Sequence, residues 1–598
     1  MSTVVRTCAE RQRCVVDGGS TRCDCALGTI PLGDSCEIAT SCAGGNGGCD
    51  RLTMCSVNQG ARMCTACPPG YTGTGESGCI PLLVSLVMPN APLTPEFSSD
   101  THAYRTQLSL LQQRLVFKPQ VPAGVKVEVN GYRLPTDSTW TSPVLPLGET
   151  QIELVLTSEY GVSNHYALTV LRSGAQEAYL KASQVDPEDD FGYGVAISGN
   201  TLVIGAVFED SRSAGVNGDA SNNDVKDSGA AYVFVRHGDV WTQEAYLKAD
   251  APAPNDFFGV NVAISGDTIA VGTTRSSPYG NVVSSRNGLV YIFERKDSAW
   301  TQQAKLSSGT SEPDLFGIGI ALRGDRLVVG APYDNSQARQ SGAIYVFDRM
   351  GSGSTWSAAT KLKAAAPQVE ALLGWSVAVD GDNIIAGAPQ DTLLVVGPGG
   401  RGGAHVFVRR NGSWAEQQRL QAQVPEDADV FGYSVAILGD RAVVGSPRSS
   451  PLSDAPNGQA FVFDRAGDHW SASATLAAPN PRGGDAFGTS VLLSNDALVI
   501  GASGDSSGAR GVNGNAARTD AEHSGAVYVY GYQTDGWVRS AYLKSSNAEA
   551  GDWWAEHAAL DGDTLVVTSI IESSASTGVN GDDANNGARQ AGAAYVFR

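Results

Sequence analysis

The 598-residue sequence has no cysteine after residue 79 and no apolar run of membrane-spanning length, and its acids outnumber its bases. The apolar stretch at residues 81–88 is broken at Ser85 and is far shorter than the roughly 18 residues that a spanning helix needs. Lys and Arg total 42 against 62 Asp and Glu, which gives a net charge of −20. That charge repels phosphate backbones and anionic membranes, so we expect no nucleic-acid partner.

The 11 cysteines all lie within the first 79 residues. Such clustering favours a disulfide-bonded region and an oxidising compartment, either extracellular or at a bacterial cell surface. Metal ligation is the alternative, but no histidine precedes His102 and there are no paired C-x-x-C knuckles. The first ten residues also lack the apolar core of a secretion signal, so we expect the natural chain to begin upstream.

Six of these cysteines fall between residues 42 and 79, in a stretch that also contains the Gly70-Tyr71 turn. This stretch resembles an EGF-like module, which we assign to residues 38–80. The resemblance implies three disulfides, Cys42–Cys55, Cys49–Cys64 and Cys67–Cys79.

The five earlier cysteines include a C-x-C at residues 23–25. They resemble a truncated EGF-like module, at residues 1–37, whose first cysteine would lie upstream of the sequence. That resemblance implies the pairs Cys8–Cys23 and Cys25–Cys36 and leaves Cys14 without its partner.

Residues 81–173 contain no cysteine and show the period-two alternation of β-strands. Val125, Val127 and Val129 precede an Asn130-Gly131 pair, which is a strong hairpin signal. A second alternating pair of strands surrounds a Glu-Tyr-Gly turn at residues 159–161. The order of these pieces resembles a cadherin-like β-sandwich domain, which implies a spacer or adhesive module.

Residues 174–598 repeat one pattern seven times: D-x-F-G-x-x-V-A-I, a Gly-Asp or Gly-Asn turn, T-L-V-V-G-A, a loop, and S-G-A-A-Y-V-F. Four short strands per repeat are typical of a β-propeller blade. The fourth repeat has Leu373-Gly374 in place of Phe-Gly, and the seventh has Trp554-Ala555. The units resemble FG-GAP repeats, the building block of integrin α-subunit propellers. The predicted fold class is therefore all-β, a seven-bladed propeller preceded by a small sandwich and EGF-like modules.

The strand at residues 177–182 precedes the first Phe-Gly, and the chain ends just after the seventh A-A-Y-V-F. The last blade therefore lacks its own outer strand. We expect residues 177–182 to supply it, which would close the ring and remove two sheet edges.

Three loops between the second and third strands of their repeats have 21 residues each, at 207–227, 503–523 and 570–590. Blades six, seven and one are neighbours in a closed ring, so we expect the loops to share one sector of one face. The residues predicted to bind there are Glu209, Asn217, Asp219, Asp505, Asn513, Asn515, Glu572, Asn580 and Asp582. The acids that precede the Phe-Gly pairs would lie on the same face: Asp189, Asp256, Asp314, Asp429, Asp485 and Asp552.

Clustered carboxylate and amide oxygens suit calcium. The carboxylates that would ligate it are Glu209, Asp219, Asp505, Glu572 and Asp582. The alternative is that Asn217, Asn513 and Asn580 lie in turns and bond their own backbone. The turn interpretation is favoured because the sequence spells out no full ligand set.

The seventh repeat also departs from the others at Trp553 and Trp554, followed by Glu556 and His557. Exposed tryptophans near a propeller axis could bind sugars or proteins. Drift in a terminal repeat explains the same residues equally well.

No catalytic motif is present: the seven histidines are scattered, and there is no G-x-S-x-G elbow and no P-loop. We therefore expect a non-enzymatic, monomeric adhesion or interaction protein with a protein or glycan partner outside the cell. The alternatives are a glycan-binding lectin or accessory subunit of a polysaccharide-degrading system, and a hydrolase or lyase that uses acidic residues of the propeller face.

Overall fold

A computed structural model describes residues 12–17, 20–25, 29–32, 35–38, 40–43, 45–59, 61–275, 287–351, 355–390, 401–422, 430–447 and 458–598. The chain divides into two compact units, one of residues 1–108 with 113–173 and one of residues 109–112 with 174–598. In the described residues no helix is long and apolar enough to cross a membrane.

In its described residues the cysteine-rich region forms four two-stranded hairpins and one 3₁₀ turn, Gly45–Gly48. The strands are β1 (Gln12–Asp17), β2 (Ser20–Cys25), β3 (Thr29–Leu32), β4 (Ser35–Ile38), β5 (Cys55–Asn58), β6 (Ala61–Cys64), β7 (Tyr71–Thr74) and β8 (Gly78–Pro81).

Four disulfides hold these hairpins, and they are pairs that the EGF-like resemblance implied. The pairs are Cys25–Cys36, Cys42–Cys55, Cys49–Cys64 and Cys67–Cys79. Cys8 and the side chains of Cys14 and Cys23 lie outside the described residues. Cross-links of this kind supply much of the stability of a small module, which has little room for a hydrophobic core.

Eight strands then form a five-stranded sheet, in the order β10-β16-β15-β12-β13, and a three-stranded sheet, β14-β11-β9. Asn130 and Gly131 both have positive φ, as the predicted β12–β13 hairpin requires. One core contains the inward residues of both sheets, Phe117, Leu154 and Tyr166 among them. The strands are β9 (Ser85–Val87), β10 (Ala103–Leu108), β11 (Val116–Gln120), β12 (Lys126–Val129), β13 (Tyr132–Leu134), β14 (Trp140–Thr141), β15 (Gly148–Thr157) and β16 (Ser163–Arg172).

The remaining strands build seven antiparallel sheets of at least four strands each within the described residues. Sheets one to three contain β18 (Phe191–Ser198), β19 (Thr201–Ala206), β20 (Ala230–His237), β21 (Val240–Leu247); β22 (Val262–Ser265), β23 (Thr268–Thr273), β24 (Leu289–Lys296), β25 (Ala299–Leu306); and β26 (Ile320–Arg323), β27 (Arg326–Ala331), β28 (Ala343–Asp348), β29 (Thr360–Leu362).

Sheets four to six contain β30 (Val377–Asp380), β31 (Asn383–Ala388), β32 (Gly403–Arg410), β33 (Ser413–Leu420); β34 (Ser434–Leu438), β35 (Arg441–Ser446), β36 (Gln459–Ala466), β37 (His469–Leu476); and β38 (Phe487–Leu493), β39 (Leu498–Ala502), β40 (Gly511–Val512), β41 (Ala526–Gln533), β42 (Gly536–Lys544). Sheet seven contains β43 (Ala558–Asp561), β44 (Thr564–Ser569), β45 (Ala593–Phe597) and β17 (Gln176–Leu180).

The seven sheets close into a ring. The first strand of each sheet contacts the first strand of the next, from β18 through β22, β26, β30, β34 and β38 to β43, and β43 contacts β18. The amino-terminal strand β17 pairs antiparallel with β45, with Tyr179 opposite Tyr595. Sheet seven therefore takes its outer strand from the start of the repeat region, as the sequence predicted.

Each Phe of the Phe-Gly pairs fills the space between neighbouring sheets. Phe191 is buried among residues of sheets one and seven, including Tyr232 and Val566. The glycine of S-G-A makes the close approach possible: Gly229 has a φ of +75° and bridges Phe258 of the next sheet. A Cβ at Gly229 would lie 2.2 Å from the carbonyl oxygen of Phe258, so only glycine fits there.

Candidate functional site

The acids of the three long loops are buried, and each is paired with a lysine of its own sheet. In sheet one, Lys248 Nζ donates to Glu209 Oε2 at 2.5 Å. In sheet seven, Lys181 Nζ donates to Glu572 Oε2 at 2.8 Å. In sheet six, Lys544 Nζ lies 3.4 Å from Asp505 Oδ1.

A tyrosine two residues before each lysine donates to the same carboxylate, at 2.8 Å for Tyr246, 2.9 Å for Tyr179 and 2.9 Å for Tyr542. Burial lowers the pKa of the lysines, that of Lys544 to about 8, while the neighbouring carboxylates oppose the shift. The carboxylate oxygens are thus engaged inside the protein, where each pair holds the start of its loop against the outer strand.

The loop asparagines lie in turns that pair with the outer strands. Asn217 has a φ of +56°, its N–H donates to Tyr246 O at 2.8 Å, and its Oδ1 accepts from Tyr246 N at 2.9 Å. Asn513 makes the same two bonds with Tyr542, and Asn580 makes them with Tyr179. Each loop therefore covers the edge of its own sheet, which protects that edge from pairing with another chain.

Asp219, Asn515 and Asp582 accept backbone N–H groups two residues further along, as in Asx turns. The acceptor distances are 2.9 Å from Ser221 N, 3.0 Å from Ala517 N and 3.0 Å from Ala584 N. These side chains set the local conformation of the loops. The prediction that they bind a ligand together with Asn217, Asn513 and Asn580 gives way to the turn interpretation.

The residues predicted to ligate calcium do not fit that ion. Glu209, Asp505 and Glu572 lie in three different sheets, and a lysine of the same sheet neutralises each of them. Asp219 and Asp582 cap turns of separate loops. In the part of the chain that the structure describes, no group of three or more His, Cys, Asp or Glu residues is arranged to hold a metal. Adjacent sheets do carry the loops, but the loop carboxylates do not converge.

Trp554 is fully buried, so the prediction that it binds a partner is wrong. It occupies the place that Phe has in the other repeats and packs edge-on against Tyr595 and Phe597, with ring centroids 6.0 and 5.8 Å away. The repeat itself explains this residue. Trp553 differs: it is half-buried, has a φ of +49°, and lies 4.6 Å from the ring of His523.

Trp553 lines a groove of about 750 Å³ between sheets seven and one, at the end of the ring that carries the long loops. Phe208, Ile570 and Ile571 supply its other apolar surface. Five carboxyl groups line it against a single lysine, Lys226: Glu188, Asp190, Asp210, Asp227 and Glu556. We call this space the acidic groove.

The carboxyl groups of the groove differ in how far neighbouring groups compensate their negative charge. Glu188 is exposed and pairs with Arg589, and Asp210 Oδ1 accepts the N–H of Asp227 at 2.6 Å. Burial raises the pKa of Asp227, with Lys226 opposing the shift and Asp210 and Glu188 adding to it. A cationic group entering the groove would relieve this repulsion between carboxylates.

The acids that precede the Phe-Gly pairs are mostly buried beneath this face. Asp189 and Asp552 each accept a backbone N–H three residues earlier, from Asp186 and Glu549. Burial, together with the charges of Glu209 and Glu572 respectively, raises the pKa of Asp189 to about 8 and that of Asp552 to about 7. Asp429 lies outside the described residues.

Most residues of the acidic groove escaped the sequence prediction, although they adjoin residues that it named. Asp210 follows Glu209, and Phe208 precedes it. Side chains alternate between the two sides of an extended segment, so neighbours of a buried acid tend to face outward. That alternation at the start of the loop was the available signal.

Comparison with known proteins identifies the repeats and the sandwich. A family model described as FG-GAP repeat matches residues 175–234, 241–293, 300–347, 414–463 and 470–530. A model described as cadherin-like beta sandwich domain matches residues 83–173. No curated protein matches the chain.

The Leu373-Gly374 and Trp554-Ala555 substitutions both lie outside the matched segments. The matched domains and the four disulfides fit an extracellular interaction or adhesion protein. The chain is thus an all-β protein that carries FG-GAP repeats and a cadherin-like β-sandwich domain.

Proposed function

We propose that this chain is a non-enzymatic adhesion or interaction protein that binds an extracellular protein partner in the acidic groove. The observation that carries the proposal is the groove itself: five carboxyl groups and one lysine surround a cavity of about 750 Å³ beside a half-buried tryptophan. Aromatic residues with an accessible face are enriched at the centres of protein interfaces.

The partner would present a basic side chain, lysine or arginine. Asp210 and Asp227 supply charge, and the rings of Trp553 and Phe208 supply apolar faces that attract a cation. An arginine side chain uses both features, because its guanidinium donates to carboxylates and stacks on aromatic rings. A net charge of −20 would also steer a basic partner toward the protein.

The lysine-anchored loops give the groove a rigid frame. Residue 207 begins the loop that contains Phe208 and Asp210, and Glu209 between them is fixed by Lys248 and Tyr246. Residue 570 begins the equivalent loop of sheet seven, and Glu572 is fixed by Lys181. A preformed groove loses less conformational entropy when a partner binds.

The test is the binding of fluorescent Gly-Ser peptides that contain one Arg, one Lys, one citrulline or one norleucine, at several salt concentrations. We expect the Arg and Lys peptides to bind, more weakly as salt increases. Asp210→Asn with Asp227→Asn should weaken binding at least about tenfold, which is 1.4 kcal/mol.

Asp224→Asn is the matched control, because Asp224 lies in the same loop but outside the groove and pairs with Arg212. Equal binding of the citrulline and arginine peptides would contradict the proposal. So would a loss of binding in Asp224→Asn as large as that in the groove variants.

A further inference from the structure

A second cavity, of about 250 Å³, lies on the axis of the ring and is lined by residues from all seven sheets. Glu556 lines both this cavity and the acidic groove, so the two spaces adjoin. We call the second space the axial cavity. Its walls include the residue that directly follows each Phe-Gly or its equivalent: Tyr193, Val260, Ile318, Trp375, Tyr433, Thr489 and Glu556.

In four repeats the side chain of the next residue bonds a neighbouring sheet. Asn261 Nδ2 donates to the carbonyl oxygen of Ile318 at 2.7 Å, and Ser376 Oγ donates to that of Gly432 at 2.9 Å. Ser434 and Ser490 bond the following sheets in the same way, at 2.8 and 2.9 Å. These polar groups join neighbouring sheets, whereas the residues directly after Phe-Gly differ widely in chemistry and face the cavity.

The cavity wall has two chemically different sides. Sheets two and three contribute Val260 and Ile318. Sheets four and five contribute Trp375 and Tyr433, whose ring centroids are 6.2 Å apart at an angle of 44°. Sheets seven and one contribute His557 and Tyr193, with ring centroids 5.0 Å apart.

The cavity holds one carboxyl group, Glu556, and one imidazole, His557. Glu556 shares a hydrogen bond with Tyr433, and no lysine or arginine lines the cavity. Burial raises the pKa of Glu556 to about 7, with the Tyr433 hydrogen bond opposing the shift, and burial lowers the pKa of His557 to about 4. A phosphate would meet no lysine or arginine here, and a divalent metal ion would meet the carboxyl of Glu556 alone, so the cavity suits neither.

We propose that the axial cavity binds one neutral hexopyranose ring, the terminal sugar of a glycan. The C–H face of a sugar ring carries partial positive charge and packs against the negative faces of Trp375 and Tyr433. Its hydroxyl groups would bond the carboxyl of Glu556, the hydroxyl of Tyr433 and the imidazole of His557. The volume suits a single ring, since drug-sized ligands occupy pockets of about 300 Å³ or more.

This site differs from the acidic groove in chemistry, and the two proposals can fail separately. The groove has five carboxyl groups and would select a basic side chain, whereas the axial cavity offers aromatic faces, the one carboxyl of Glu556 and no lysine or arginine. Trp553 lies in the groove only, and Trp375 lies in the axial cavity only. One variant of each therefore reports on one site.

The experiment uses the full chain and a panel of methyl hexopyranosides with different hydroxyl configurations, followed by saturation-transfer NMR and calorimetric titration. We expect saturable binding of at least one glycoside, weakened at least about tenfold by Trp375→Ala. Tyr433→Phe and Glu556→Gln, which keep the shape of the cavity, should weaken binding of that glycoside to a lesser degree. Trp553→Ala should leave sugar binding unchanged, and thermal melting checks that every variant is folded.

Three results would overturn the proposal. One is that no glycoside of the panel binds saturably at about 10 mM, a concentration that detects even the weakest specific sites. Another is that none of the folded variants Trp375→Ala, Tyr433→Phe and Glu556→Gln binds the sugar more weakly than wild type. The third is that tetramethylammonium binds more tightly than every glycoside and that Trp375→Ala weakens its binding.

Discussion

Lys181 and Glu572 form a buried ion pair across the closure of the ring, 391 residues apart in sequence, with 2.8 Å between Nζ and Oε2. Lys181 directly follows β17, the strand that comes before the first repeat, and Glu572 belongs to the last repeat. The pair therefore joins the beginning of the propeller to its end. Sheets one and six contain the same kind of lysine–carboxylate pair, so the closure of the ring uses an ion pair that also occurs within single repeats.

Replacing Lys181 by methionine should lower the free energy of unfolding by about 3–5 kcal/mol, because it leaves the Glu572 carboxylate buried without its counter-charge. Denaturant unfolding followed by circular dichroism measures this. The double variant Lys181→Met with Glu572→Gln should recover part of the loss.

Arg212→Met is the matched control for that experiment. Arg212 pairs with Asp224 on the surface, with side chains 70% and 54% exposed. Its loss should cost at most about 1 kcal/mol. A Lys181 variant as stable as the Arg212 variant would show that the pair does not hold the closure.

Removing calcium should not change the melting temperature. Glu209, Asp505 and Glu572, which the sequence predicts as calcium ligands, already have lysine partners. Differential scanning calorimetry with EDTA and with excess CaCl₂ measures this. If calcium raised the melting temperature and Glu209→Gln abolished that rise, the assignment of these carboxylates to lysine pairs would be contradicted.

Gly229→Ala should destabilise the propeller more than Gly238→Ala. Both glycines have positive φ, +75° and +64°, so alanine costs roughly 1 kcal/mol at either position from backbone strain. A Cβ at Gly229 would also lie 2.2 Å from the carbonyl oxygen of Phe258, whereas nothing lies within 4 Å at Gly238. Equal melting temperatures for the two variants would show that Gly229 does not lie this close to the carbonyl oxygen of Phe258.

Asp552→Asn should change how stability depends on pH. The pKa of Asp552 in the folded protein, about 7, lies above its ordinary value because the group is buried, so its ionisation opposes folding. Wild-type stability therefore loses a contribution as the pH rises from about 4 to about 8, and the variant does not. The variant should gain relative to wild type across that interval, as measured by chemical unfolding at successive pH values.

Asp520→Asn is the control for the pH experiment. Asp520 pairs with Arg518 at the surface, and the bonds from Arg518 hold its pKa at about 2. The folded protein keeps it ionised throughout the interval, and an unfolded Asp is ionised as well above about pH 5. The stability difference from wild type should therefore not change with pH between about 5 and 8. A similar pH dependence for both variants would exclude burial of Asp552 as the cause.

The repeat pattern was visible in the sequence because it is periodic. Seven copies in phase predicted the sheets, and the missing outer strand of the last repeat predicted the pairing of β17 with β45. The alternating valines and the Asn130-Gly131 turn likewise predicted the β12–β13 hairpin. These features depend on local geometry that each segment carries within itself.

The buried ion pairs could not be derived from local pattern, because the partners lie far apart in sequence. Glu209 and Lys248 are 39 residues apart, and the acid alone resembles a free surface ligand. One signal was available: A-Y-L-K occurs at residues 178–181, 245–248 and 541–544, at the ends of β17, β21 and β42 in the three sheets that carry the long loops. The groove residues depend on how two sheets meet, which no single repeat reveals.

The most direct test of the proposed binding role is hydrogen–deuterium exchange of the full chain with and without a saturating arginine peptide. We expect slower exchange at residues 187–190, 208–210, 226–227, 553–556 and 570–571, which border the acidic groove. Protection confined to the opposite end of the ring, at turns such as 238–239, or to residues 83–173, would contradict it.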